Sequence, residues 1–193
     1  YAYNIAFHPR FVENGLVYFG VNGPVATGPR YSRIVRHAVR HGRPDPATRT
    51  VIIEWPSDGH NGAALVFGAD GLLFVTSGDG TGHSDLDRVG QDLRSLRSKI
   101  LRIDVDRPAP GREYSVPGDN PFVDDPRLAP ETWAYGLRNP WRLTLDPPSG
   151  QLWAGENGQY AWEYARLVRR GENYGLSVYE GAHVFAQARP LGP

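Results

Sequence analysis

Apolar and polar positions along this chain fall into short runs broken by glycine and proline, and one arrangement recurs. An apolar residue is followed by a tight turn carrying Pro or Asp and then Gly, and after it by an apolar strand. It appears as FHPRFVENGLVYFG from Phe7 to Gly20, FGADGLLFVTSG from Phe67 to Gly78 and LDPPSGQLWAG from Leu145 to Gly155. Each predicts a β-hairpin, because the turn residues sit between β-branched or aromatic runs. A third strand follows each hairpin: SRIVRHAV from Ser32, SKILRIDV from Ser98 and YARLVRR from Tyr164, with Ile34, Ile100 and Leu167 recurring at nearly equal spacing. The first residues, YAYNIAFHP, also read as a strand. Only SDLDRVGQDLRSLR, Ser84 to Arg97, has helical spacing, through Leu86, Val89, Leu93 and Leu96.

A sheet unit repeating at this interval predicts an all-β fold, a β-propeller with about four strands per blade. The interval exceeds the ~40 to 50 residues of common blades, and long loops between strands account for the excess. A β-sandwich with three accidental hairpins is the competing architecture. The repeats run approximately over 1–50, 51–130 and 131–193, one partial propeller domain of about three blades. Three blades leave sheet edges unpaired, so the visible chain should not close a ring.

Composition sharpens this in two ways. With 21 basic and 21 acidic side chains in 193 residues, no net field draws the protein to nucleic acid or an anionic membrane, which leaves a small or locally recognised ligand. No apolar run approaches the ~20 residues of a membrane-spanning helix. The chain has no Cys, which excludes disulfides and thiolate metal sites, and no Met. Missing Met, together with a strand at the first residues and the Pro/Gly cluster closing VFAQARPLGP, predicts a piece of a longer polypeptide.

Candidate chemistry concentrates in glycine-rich loops: GLRNPWR from Gly136, GENGQYAWE from Gly155 and GENYG from Gly171. His60, on the glycine-flanked turn before the Ala63 strand, is the natural general base near neutral pH, although a lone His in a turn is more often structural. Arg138 can stabilise negative charge on a ligand oxygen with Asn139 orienting it, or can simply stack on Trp141. Glu156, Asn157, Gly158, Gln159 and Glu163 offer the oxygens that Ca²⁺ prefers, yet without an EF-hand spacing they read equally as a solvated turn. Asp79, Asp85 and Asp87 read as a solvated or helix-capping run.

Taken in order, HNG before FGADGLLFVTSGDG, then QDLRSLRSKILRIDVD, PGDNPF, ETWAYGLRNPWRLTLDPPSGQLWAGENGQ, WE and GENYG resemble the glucose/sorbosone dehydrogenase family, soluble sugar dehydrogenases that use pyrroloquinoline quinone (PQQ). The resemblance implies a six-bladed β-propeller carrying PQQ and Ca²⁺ over its axis. It assigns His60 as the base that removes the proton of the anomeric hydroxyl, and Arg138 as the cation facing the reactive quinone carbonyl. Asn139 and Asn157 match residues beside the cofactor, Gly158 and Gln159 match carbonyls on the quinone's Ca²⁺, and Glu163 and Tyr174 match a neighbouring Ca²⁺ site. It implies aldose oxidation by the intact protein, an external electron acceptor, and a periplasmic or extracellular location. Departures from the pattern are Gly59 in place of an aspartate found in glucose-oxidising members, Tyr164, Arg97, Ser98 and Leu176. Basic residues that grip the quinone carboxylates are expected in further blades past Pro193. A catalytically silent binding propeller and a metal-dependent propeller lactonase are the alternative functions.

Overall fold

The computed structural model describes residues 1–24, 27–83 and 85–185. Its first sheet is an antiparallel meander of β1 (Ala2–Phe7), β2 (Leu16–Gly23), β3 (Tyr31–Arg40) and β5 (Thr50–Pro56), with β4 (Arg43–Pro44) paired on the end of β3. The second sheet runs β6 (Leu65–Phe67), β7 (Leu73–Ser77), β8 (Lys99–Ile103) and β9 (Thr132–Tyr135). The third runs β10 (Asn139–Leu145), β11 (Leu152–Asn157) and β12 (Glu163–Val168), and a short hairpin, β13 (Tyr179–Glu180) with β14 (His183–Val184), follows. All three predicted hairpins form, as β1 with β2, β6 with β7 and β10 with β11, and so do the third strands. Hydrogen bonding joins β5 to β3 and β9 to β8, across the repeat intervals at 50 and 131.

The sheets stack as blades. β7 and β8 are buried on both faces, so LFVTS and KILRI bury Thr76, Ser77, Lys99 and Arg102 along with their apolar residues. Their side chains still alternate with the period of a strand. Leu73, Val75, Leu101 and Ile103 face the first sheet, where they pack with Tyr18, Ile34, Ile53 and Trp55. Phe74 and Ile100 face the third, against Leu137, Leu143, Leu152 and Val168. Each such aliphatic side chain contributes roughly 1.5 to 3 kcal/mol on burial, and two cores of this kind hold three sheets in register.

The helix expected over Ser84 to Arg97 does not form. Ser84 lies outside the described residues, and the stretch after it runs as successive turns. The Asp85 carboxylate accepts the backbone N–H groups of Val89 at 2.8 Å and Gly90 at 3.0 Å, and Asp92 accepts that of Arg94 at 3.0 Å. Such local bonds compete with a helical ladder. Asp85 and Arg88 take φ of 45° and 57°, so Val89 and Leu93 reach the core without a helix while Leu86 stays exposed. The closing Pro/Gly cluster, from residue 186, lies outside the described residues. No helix among those described is long and apolar enough to cross a membrane.

The tight turns of the β6–β7 and β10–β11 hairpins lie at one rim of the stack. The β5–β6, β7–β8, β9–β10 and β11–β12 connections lie at the other, and they and the adjoining strand ends carry the candidate residues apart from Tyr174, which follows β12.

Candidate functional site

His60 sits on the β5–β6 connection with φ of 43°, a left-handed conformation that costs about 1 to 2 kcal/mol for a residue with a side chain. Its carbonyl lies so close to Gly78 that any Cβ there would overlap it, and that Cβ would also lie 2.9 Å from the carbonyl oxygen of Arg138. Glycine at 78 therefore lets two blades bring their main chains together. The approach is sealed by the bond from Asp79 N–H to the Arg138 carbonyl, 2.8 Å, and from Gly62 N–H to Asn139 Oδ1, 3.3 Å.

This contact builds a line of three side chains. Asp79 has no exposed side-chain surface, and its Oδ1 is 2.8 Å from His60 Nδ1. A carboxylate facing Nδ1 fixes the proton on that nitrogen and leaves Nε2 as the acceptor. Nε2 is occupied by Arg138 Nη2 at 2.6 Å. The remaining Arg138 contacts are Nε to Gln159 Oε1 at 2.8 Å and Nη1 to the Asn157 carbonyl at 3.3 Å. Burial lowers the guanidinium's proton affinity, and the charges of Asp79, Glu180, Glu163 and Glu156 oppose that effect.

Glu156, buried behind Arg138, accepts from its backbone N–H at 2.7 Å and from Arg166 Nε at 2.8 Å. Burial pushes this carboxyl above its usual range, against the pull of Arg166. Both of its oxygens are engaged within the protein, so it does not join the oxygen donors of its own loop. Asn139 Nδ2 meets Asn157 Oδ1 at 3.2 Å, and Asn157 Nδ2 donates to Glu163 Oε2 at 2.6 Å. These two bonds tie the start of β10 to the β11–β12 edge.

The structure thus joins His60, Arg138, Asn139, Asn157, Gln159 and Glu163 in one network, with Gly158 in the loop between them. Tyr174 lines a small cavity with Arg138, Glu156, Gly158 and Gln159, and its hydroxyl lies 2.6 Å from the Leu167 carbonyl and 2.7 Å from Glu172 Oε2. Leu167 and Glu163 are four residues apart on β12, roughly 13 Å at ~3.3 Å per residue, so this hydroxyl and Glu163 do not meet. Among the described residues no group of three or more His, Cys, Asp or Glu side chains is placed to hold a metal ion.

Three readings of single residues change. Asp79 and Asp85 are fully buried rather than solvated, and only Asp87 is exposed, paired with Arg97 at 2.6 Å. Arg142, not Arg138, stacks over Trp141, at 4.8 Å. Glu180 was not singled out by sequence, yet its Oε1 accepts from the backbone of Gln159 at 2.7 Å, Tyr160 at 2.8 Å and Ala161 at 3.1 Å. Asp79 carried a weak signal as the lone acid between two glycines after a strand. Glu180 had none, since its partners lie about twenty residues away on another loop.

A sequence model of the glucose/sorbosone dehydrogenase family matches residues 2–189. The HIPL1 protein of Arabidopsis thaliana is 39% identical over 157 residues, which is 76% of this chain and 22% of that protein. Aldose sugar dehydrogenase YliI of Escherichia coli is 32% identical over 130 residues, 66% of this chain and 32% of that one. Among solved structures, the PQQ-bound form of aldose sugar dehydrogenase from Streptomyces coelicolor matches with a TM-score of 0.69 at 31% identity, covering 92% of this chain and 48% of that chain. The three stacked sheets are therefore part of a β-propeller of the quinoprotein dehydrogenase type. The chain spans less than half the length of each of these relatives.

Proposed function

The chain belongs to the glucose/sorbosone dehydrogenase family, and we propose that the intact protein oxidises an aldose at its anomeric carbon, with PQQ as hydride acceptor and Ca²⁺ as a Lewis acid. The observation that carries this reading is the His60 imidazole held between buried Asp79 and Arg138. The residues suit the cofactor's chemistry. Arg138 spends three of its five N–H groups on protein acceptors, which leaves two for an anionic oxygen. PQQ, when bound, supplies the two-electron acceptor.

This chain's residues supply the proton chemistry. His60 Nε2 takes the proton of the C1 hydroxyl as the hydride leaves C1, and the sugar becomes a lactone. Asp79 keeps the imidazole in the tautomer that exposes Nε2 and stabilises the imidazolium that forms. The substrate hydroxyl has to take the place of Arg138 Nη2 at Nε2, which frees that N–H for developing negative charge. Gly158 and Gln159 carbonyls, with Asn139 and Asn157 beside them, hold the cation and cofactor. Oxygen donors on a compact loop would suit Ca²⁺, which would polarise the bound cofactor as a Lewis acid. Glu163 and Tyr174 serve a second cation only if Tyr174 contributes its main chain. An external acceptor takes the electrons onward, and the location is periplasmic or extracellular.

The full-length protein reconstituted with PQQ and Ca²⁺ should reduce a dye when given an aldose. His60→Ala should abolish turnover while sparing quinone binding; unchanged turnover removes His60 as the base. A second reading, a silent binding propeller, draws support from HIPL1, whose name specifies no reaction. Full-length protein that neither binds PQQ nor reduces a dye with any aldose would establish it over the first.

A further inference from the structure

A buried carboxylate that the proposed reaction does not use grips the loop carrying Gly158 and Gln159. Glu180 closes β13, and its Oε1 accepts the backbone N–H groups of Gln159 at 2.7 Å, Tyr160 at 2.8 Å and Ala161 at 3.1 Å. Bonds from main-chain donors to an ionised oxygen are charge-assisted, about twice as strong as neutral ones. The fit is close. A Cβ on Gly158 would lie 2.8 Å from the same carboxylate oxygen and would overlap the Trp162 carbonyl, so glycine at 158 is what lets Glu180 approach.

These bonds decide where the loop's carbonyls go. The Gln159 N–H shares a peptide plane with the Gly158 carbonyl, and the Tyr160 N–H shares one with the Gln159 carbonyl. Both peptide bonds are trans, and in a trans peptide N–H and C=O point in opposite directions. Turning these two N–H groups onto Glu180 therefore turns the Gly158 and Gln159 carbonyl oxygens to the opposite side of the loop. The carboxylate also polarises them: accepting the N–H shifts amide electron density toward the carbonyl oxygen, which makes it a stronger ligand for a hard cation. Gln159 carries the constraint further, since its Oε1 accepts from Arg138 Nε at 2.8 Å.

We propose that Glu180 is a positioning residue for the Ca²⁺ site, one that orients and polarises the Gly158 and Gln159 carbonyls from the far side of the loop without contacting the cation. The assignment rests on the reading above, in which those two carbonyls hold the cation. Because the loop is ordered before the cation arrives, little conformational entropy is lost when it binds. Two substitutions separate the two contributions. Glu180→Gln keeps the length of the side chain and an oxygen acceptor but removes the charge; Glu180→Asp keeps the charge but is one methylene too short to reach all three N–H groups.

The test is calorimetric titration of the metal-stripped full-length protein with Ca²⁺, with and without PQQ, alongside urea unfolding in EDTA and dye reduction with an aldose. Ca²⁺ affinity should fall about ten-fold in Glu180→Gln and by a similar factor in Glu180→Asp. A merely structural role would lower the urea midpoint and leave the Ca²⁺ affinity of the folded protein unaltered. Parental affinity in Glu180→Gln overturns the assignment, as does parental affinity in Glu180→Asp, which would reduce the residue to a distant charge. A parent that binds no Ca²⁺ under either condition overturns it as well. If affinity falls in both variants while no form oxidises any aldose, the dehydrogenase reading fails and the role of Glu180 stands; if aldose is oxidised and affinity is unmoved, the reverse holds.

Discussion

Replacing Lys99 by methionine removes a fully buried amine from β8. Lys99 is wholly inaccessible on β8, and its Nζ donates to the carbonyls of Val89 at 3.1 Å and Arg97 at 2.7 Å, with no carboxylate in contact. Desolvation lowers its pKa to about 7, only partly offset by Asp92 and Asp85 at longer range. The sign of the consequence follows from proton counting. Above pH 7 the folded state holds this amine neutral while the unfolded state keeps it protonated up to the ordinary lysine range. The unfolded state binds more protons, so stability rises with pH through that window and is flat below it. Each unit is about 1.4 kcal/mol, which gives about 3 kcal/mol between pH 7 and pH 9. Buried tyrosines such as Tyr114, raised by desolvation and by Glu131, work in the opposite direction only at higher pH. Urea midpoints at pH 7, 8 and 9 should climb for the parent and stay nearly level for Lys99→Met, whose flexible thioether fills the same space. Equal slopes in the two proteins would refute the argument.

Asp79→Asn keeps the shape of the site but presents an amide to His60 Nδ1, and should lower kcat by about 10³ to 10⁴ while PQQ binding persists, measured by dye reduction and quinone titration. Gly158→Ala forces a Cβ onto the Trp162 carbonyl and 2.8 Å from Glu180 Oε1; Ca²⁺ reconstitution should need at least ten-fold more metal, whereas Gly150→Ala, which meets nothing, costs the backbone strain alone and leaves reconstitution unchanged. Leu101→Ala opens a cavity in the core between the first two sheets and should cost about 2 to 5 kcal/mol in denaturant unfolding, while Val12→Ala, 99% exposed, should change stability by less than about 0.5 kcal/mol.

The hairpins were legible because their signal is local: a Gly-containing turn sits between apolar runs in Phe67 to Gly78 and in Leu145 to Gly155. The turns after Ser84 were not. Leu86, Val89, Leu93 and Leu96 carry a helical period, but whether Asp85 caps a helix or folds a turn onto Val89 and Gly90 depends on burial that spacing does not encode. In the site, residue types in glycine-rich loops pointed to His60, Arg138 and Asn157. Which carboxylate faces His60 was not legible, because Asp79 reaches it only through the packing of two connections. Glu180 is the extreme case, an acid with no local pattern that orders a loop from a distance.

That packing explains why the candidate residues meet between blades. His60 and Asp79 belong to connections flanking the second sheet, Arg138 to the connection entering the third, and Asn157 to the end of β11 within it. Their relative positions are set by backbone: the Asp79 N–H on the Arg138 carbonyl and the absence of a Cβ at Gly78. A displacement of one sheet against the other therefore moves Arg138 relative to His60 Nε2 by the same amount. Hydrogen bonds weaken steeply with misalignment, so the core of Phe74, Ile100, Leu143 and Leu152 holds the His60–Arg138 contact as directly as it holds the fold. Core substitutions between the second and third sheets should consequently cost activity before they cost folding, whereas those between the first and second sheets should cost folding first.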